Sequence, residues 1–215
     1  MSGLILFGGT FDPPHLGHIK IAEAVATHFQ FERFLFLPCK SPLQKAPARA
    51  TPEQRLDMLK LVLAPYPQFE IDLREMRRET PSYMADTLED LRAELGSTYP
   101  ITLMIGVDAF AGLPQWERWE TLLQNSHILL VHRSGYTNTT LPEVLKKFQT
   151  HHQTHDPLAL YQQPSGLIYI FNAGDYPLAS TSIRQQLAAQ QSCNQSLIPE
   201  VYEYILRHKI YADSN

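Results

Sequence analysis

Phe7-Gly8-Gly9-Thr10-Phe11-Asp12-Pro13-Pro14-His15-Leu16-Gly17-His18 is the stretch that decides the fold. Ahead of it, Leu4 to Phe7 is a short apolar run bounded by turn residues, which predicts a buried strand. Behind it, Ala22, Val25, Ala26 and Phe29 fall at helical spacing and predict a helix beginning near Gly17. The stretch is therefore a strand-to-helix crossing. Its glycines allow backbone N–H groups to approach a ligand, and the helix start supplies unpaired donors and the positive end of a dipole. Together they make a phosphate site. His15 and His18 are three residues apart, so a helix starting at or just after His15 puts both rings on one side, facing the ligand.

Working outward, Phe34 to Leu37 is a second continuous apolar run, as in a parallel strand covered on both faces. Residues 38–50, with Pro38, Pro42, Pro47, Lys40, Lys45 and Arg49, read as a loop at its carboxyl end, where ligands are often touched. Thr51-Pro52-Glu53-Gln54 is a capping-box arrangement that opens a helix running to about Ala64. Residues 69–73 alternate, predicting a strand nearer the sheet edge, and 74–79 is a charged run. Thr80-Pro81-Ser82 opens a helix with Met84, Leu88, Leu91 and Leu95 in one stripe, ended by Gly96. Ile101 to Ile105 is a buried strand that finishes in Gly106-Val107-Asp108, a second site candidate. Trp116 and Trp119 lie in a short helical segment before a strand at His127 to Val131. Residues 134–166 are polar, with one helix at about 142–150, and read as an insertion or edge region. Leu167 to Phe171 is the last predicted strand, followed by helices at Ser180 to Ala189 and Pro199 to Arg207. This alternation predicts a doubly wound, Rossmann-like α/β fold, with a mostly parallel sheet and helices on both faces, in a single domain over 1–215.

Composition narrows the partners. A formal charge of −4 argues against a broad nucleic-acid surface while leaving room for a local basic pocket. Cys39 and Cys193 form no CxxC pair, so neither a disulfide framework nor a zinc ribbon is expected. No stretch approaches membrane-spanning length and no signal-peptide pattern opens the chain, so a cytoplasmic location is expected. His151, His152 and His155 have a spacing that could bind a metal, but they lack a zincin glutamate and no metal is assigned to them.

The opening stretch resembles GGTFDPxHxGH, the long form of the nucleotidyltransferase superfamily signature, and Ser180-Thr181-Ser182-Ile183-Arg184 resembles that superfamily's SSTxIR motif with Ala179 in place of the first serine. Between them, Thr80 to Leu88, Ile105 to Asp108, Trp116 and Arg133 are similar to the landmarks of bacterial nicotinate-nucleotide adenylyltransferases. That resemblance implies an adenylyltransferase that joins ATP to nicotinate mononucleotide in NAD biosynthesis, with Mg²⁺ carried on ATP. It implies ATP contacts from Gly8, Gly9, Thr10, Phe11, His15, His18, Gly106, Asp108, Ser180, Thr181 and Arg184. His15, His18, Lys45 and Arg184 would act on the phosphates. Ser82, Tyr83, Met84, Ala85, Trp116 and Arg133 would hold the mononucleotide. The family loop usually carries His before its cation, and here Gln44 precedes Lys45. The alternatives are another phosphate acceptor, nicotinamide mononucleotide or phosphopantetheine, or a non-catalytic ATP sensor.

Overall fold

The computed structural model describes residues 2–42, 47–132 and 141–212. β1 spans Leu4–Gly9, and α1, Leu16–His28, leads to β2 at Arg33–Pro38. Next come α2 at Pro52–Leu63, β3 at Phe69–Ile71, α3 at Arg74–Arg77 and α4 at Met84–Leu95. β4 at Ile101–Gly106 runs straight into α5 at Val107–Ala111, and α6 at Leu122–Asn125 precedes β5 at His127–His132. The chain continues through α7 at Glu143–His152, β6 at Gln153–Thr154, α8 at Ala159–Gln162 and β7 at Ile168–Asn172. It finishes with α9 at Ser180–Ala188 and α10 at Pro199–Arg207.

Among the described residues the strands form one sheet in the order β3-β2-β1-β4-β5-β7-β6, and every pairing is parallel. Successive side chains of a strand point to opposite faces, and the core divides accordingly. Ile5, Phe34, Phe36, Met104 and Leu129 pack beneath α1, α2, α9 and α10, meeting Val25, Met58, Ile183 and Val201. Leu4, Leu6, Leu35, Leu103 and Leu130 pack on the other face against Leu88 of α4, Phe110 of α5, Leu122 of α6 and Leu145 of α7. The doubly wound expectation holds, and the sheet is wholly parallel.

Helix ends follow the chemistry expected of them. Gln54 N–H donates to Thr51 Oγ1 at 3.2 Å, while Thr51 N–H donates to Gln54 Oε1 at 2.9 Å. Gly96 closes α4 at φ 86°, a left-handed conformation that favours glycine.

Three local expectations are corrected. The strand predicted over 69–73 stops at Ile71, because the Asp72 carboxylate accepts the Arg74 N–H at 2.9 Å and starts α3 inside the charged run. The segment holding Trp116 and Trp119 is two 3-10 turns, Leu113–Gln115 and Trp119–Thr121, with Trp116 between them. The polar region 134–166, of which 134–140 lie outside the described residues, contains the edge strand β6 and helix α8 as well as the predicted helix. β6 pairs only Gln153 and Thr154 with β7, too short a run to leave a periodicity in sequence.

Candidate functional site

A groove lies over the carboxyl ends of β1 and β4, where the sheet order departs in opposite directions. It has two lobes that share a wall made by Phe7, Gly8, Gly9, Thr10, Gly106 and Asp108. The larger lobe, about 570 Å³, is completed by Phe11, His15, His18, Ser180, Thr181 and Arg184. The smaller, about 240 Å³, is completed by Glu75, Ser82, Tyr83, Met84 and Trp116. Residues more than 160 positions apart in sequence thus face one cavity.

In the larger lobe, His15 is the N-cap residue of α1 and is 2% exposed. Its ring stacks on that of His18 with centroids 3.7 Å apart, so the two do share a side of the helix start. The His15 N–H donates to His18 Nδ1 at 3.2 Å, so a neutral His18 carries its proton on Nε2 and remains a donor. Gly17 is required by this stack, since a Cβ there would stand 2.9 Å from His15 Nδ1 and 3.1 Å from Leu178 Cβ. Gly9 is equally confined, because a Cβ would meet the Phe11 ring at 2.8 Å. At Gly106 a Cβ would meet nothing within 4 Å among the described residues, so packing against them does not explain that glycine.

The second half of the lobe comes from α9, which packs on the same face as α1. Ser180 Oγ donates to the Pro13 carbonyl at 3.0 Å and ties the start of α9 to the opening stretch. Arg184 donates from Nη1 to the Asp12 carbonyl at 2.7 Å and from Nη2 to Thr181 Oγ1 at 3.2 Å. Its side chain is 24% exposed. The lobe thus gathers two imidazoles, a guanidinium and the starts of two helices, a donor set suited to a polyphosphate.

The smaller lobe is built at the start of α4. Tyr83 is its N-cap residue and makes no side-chain cap, so the first N–H groups of the helix are available to an anionic group. Trp116 lines the lobe, whereas Trp119 is buried in the core against Phe148. Only one of the two tryptophans is therefore placed to stack on a ligand.

The family model described as cytidylyltransferase-like matches residues 6–186. The chain belongs to that family. Within it, the chain is 41% identical to "Probable nicotinate-nucleotide adenylyltransferase" of Legionella pneumophila (strain Lens), over 98% of this chain and 100% of that protein. It is 37% identical to the protein of the same name from Klebsiella pneumoniae subsp. pneumoniae, over 96% of this chain and 95% of that one. The fold is similar to that of Plasmodium falciparum nicotinic acid mononucleotide adenylyltransferase complexed with NaAD, at a TM-score of 0.73, 16% identity and 98% coverage of both chains.

Set on this cytidylyltransferase-like frame, the residues named from sequence divide in three. Gly8, Gly9, Thr10, Phe11, His15, His18, Gly106, Asp108, Ser180, Thr181 and Arg184 line the larger lobe, and Ser82, Tyr83, Met84 and Trp116 the smaller. Ala85 sits in the first turn of α4 with its side chain buried in the core, so only its backbone can serve a ligand. Lys45 and Arg133 lie outside the described residues, as does Gln44. Lys40, the other lysine of that loop, donates to the Arg78 carbonyl at 3.2 Å. His152 meets the Gly166 carbonyl at 3.0 Å, and no group of three His, Cys, Asp or Glu among the described residues could hold a metal. No helix among them is long and apolar enough to cross a membrane.

Three further residues shape the site without having been singled out from sequence. Asp12, inside the motif, is 4% exposed and binds the loop that follows β2 through Arg49 N–H at 2.9 Å and Ala50 N–H at 3.1 Å. Arg55 of α2 is fully buried and donates to the carbonyls of Thr10 at 2.7 Å, Cys39 at 2.8 Å and Lys40 at 2.7 Å. Glu75 is 3% exposed, accepts from Thr87 Oγ1 at 2.9 Å, and is pushed up to about 7 by burial. Arg55 could have been suspected from its place on the inward stripe of α2; a glutamate in a charged run offers no such signal.

Proposed function

We propose that the chain transfers the adenylyl group of ATP to nicotinate mononucleotide, releasing pyrophosphate and giving deamido-NAD, as a cytoplasmic enzyme of NAD biosynthesis. The observation that carries this reading is the two-lobed groove, which sets His15, His18 and Arg184 on one side of Gly8–Thr10 and Ser82–Met84 with Trp116 on the other. ATP occupies the larger lobe with its phosphates against the imidazoles and the guanidinium. The nicotinate ring occupies the smaller, its carboxylate at the start of α4 and its cationic pyridinium on the Trp116 face.

The mononucleotide phosphate attacks the α-phosphorus of ATP in line. A new Pα–O bond forms as the bond to the β-phosphate oxygen breaks, and that electron pair leaves with pyrophosphate. A phosphate monoester is already anionic at neutral pH, so no general base is needed. Positioning two reactants supplies roughly 7–11 kcal/mol of the barrier reduction, which fits a site built from donors and walls. The larger lobe offers two carboxylates among the described residues, Asp12 and Asp108, and Asp12 already accepts three hydrogen bonds. With Asp12 so engaged, Asp108 is the lining carboxylate that would hold Mg²⁺ carried on ATP, and two carboxylates make no cage of protein ligands. A metal held there would supply positive charge against the phosphates.

Pyrophosphate release with ATP and each acceptor in turn tests the reading. Nicotinate mononucleotide should give the highest kcat/KM, above nicotinamide mononucleotide and phosphopantetheine. ATP binding without pyrophosphate release from any acceptor would instead identify a sensor. His18→Ala should lower kcat by roughly 10²–10³, the loss typical of one preorganised donor, with an unchanged circular dichroism spectrum. Full turnover in that variant would remove His18 from the mechanism.

A further inference from the structure

A residue one position short of the end of the described chain makes the shortest side-chain contact with Asp12. Tyr211, 4% exposed, donates its hydroxyl to Asp12 Oδ1 at 2.7 Å, across 199 positions of sequence. It holds a left-handed backbone at φ 65°, a conformation that a bulky residue keeps only where its surroundings impose it. With the N–H groups of Arg49 and Ala50, the hydroxyl brings three hydrogen bonds to one buried carboxylate. Arg184 stands beside it, but in an unusual relation. Its Nη1 is 3.8 Å from Asp12 Oδ2, yet donates at 2.7 Å to the backbone carbonyl of the same residue. A guanidinium next to a carboxylate ordinarily closes to a two-pronged pair. Here the carboxylate is occupied by other donors, and the guanidinium stays at the wall of the larger lobe.

We propose that Tyr211 is a positioning residue for the ATP lobe, whose hydroxyl saturates Asp12 and so keeps Arg184 turned toward the triphosphate. Burial, and then the neighbouring Asp12 charge, push the Tyr211 hydroxyl up, so it keeps its proton and stays a donor. Without that hydroxyl, Oδ1 keeps one N–H donor, and the under-compensated carboxylate draws Arg184 into a direct pair and away from the lobe. The acceptor lobe contains neither Asp12, Arg184 nor Tyr211, so its affinity does not change. The proposal rests on the reading that ATP phosphates occupy the larger lobe.

Tyr211→Phe in the full chain tests it, since the ring remains and only the oxygen is lost. Calorimetric titration with MgATP should show Kd raised about tenfold, the scale of one charge-assisted hydrogen bond. KM for ATP should rise in parallel, while KM for nicotinate mononucleotide stays within about twofold, a split that general loosening of the fold would not produce. Adding Asp12→Asn to Tyr211→Phe should recover part of the lost ATP affinity, because a neutral side chain cannot capture Arg184. An unchanged Kd in a folded Tyr211→Phe protein, equal weakening of both substrates, or a folded double variant with no recovery would each overturn the proposal. The titration needs no acceptor. A wild-type protein that fails to use nicotinate mononucleotide would therefore sink the functional reading and still leave Tyr211 to be judged by ATP binding.

Discussion

At the scale of single residues, the site is organised by what cannot be larger and what must be paired. Gly17 leaves the space that His15 fills, and the His15–His18 stack orients both rings toward the lobe. Gly17→Ala should displace the His15 ring, since 2.9 Å is closer than a Cβ approaches any atom. The expected result is a loss of at least about tenfold in kcat/KM with a destabilisation on the order of 1–3 kcal/mol, read from initial rates and urea unfolding. Undiminished kcat/KM would show that His15 need not hold this position. The histidines and the glycines were legible in sequence because their order and spacing suit a phosphate site, and Arg184 through the resemblance of Ser180 to Arg184 to a known motif. Asp12 was legible only as part of the motif, since its three donors arrive from residues 49, 50 and 211.

At the scale of elements, α2 joins the loops on which the groove depends. Its capping box was readable in Thr51 and Gln54 because both partners are local. The reach of Arg55 was not, because its three carbonyl acceptors lie in the turns that follow β1 and β2. Arg55→Lys should destabilise the protein by roughly 2–4 kcal/mol, because an ammonium cannot reproduce the fork and leaves buried carbonyls without donors. Chemical denaturation measures this, and a change under about 1 kcal/mol would mean that water or another donor replaces the guanidinium. The same distinction explains the elements missed. α3 starts on two Asp72 contacts with Arg74, and β6 depends on pairing with a strand that comes later in the chain.

At the scale of the whole molecule, two buried titratable groups on different elements bend the stability curve in opposite directions. His127 accepts the Leu167 N–H at Nδ1, 3.1 Å away, and meets the Gln163 carbonyl through Nε2 at 2.9 Å. This neutral form is preferred, and burial lowers the ring from 6.5 to about 4. The unfolded chain binds its proton first as pH falls, so the His127 contribution is present above 6.5 and is lost between about 6.5 and 4. Glu75 is raised from 4.5 to about 7, so its contribution is present below 4.5 and is lost as pH rises through 7. The two offset each other in mildly acidic solution. Glu75→Gln removes one of them, so the variant should lose on the order of 2 kcal/mol more than wild type between pH 6.5 and 5. Parallel pH profiles of unfolding free energy would refute that assignment. The alternation of the main strands and helices, a mostly parallel sheet and the glycine-rich crossing at residues 7–18 were determined by sequence alone, because periodicity, capping and glycine spacing act over a few residues. Only the tertiary structure decided that Trp119 fills the core, that Glu75 is buried, and that Tyr211 reaches Asp12. Those outcomes depend on which distant surfaces the parallel sheet brings together, and no local pattern carries that information.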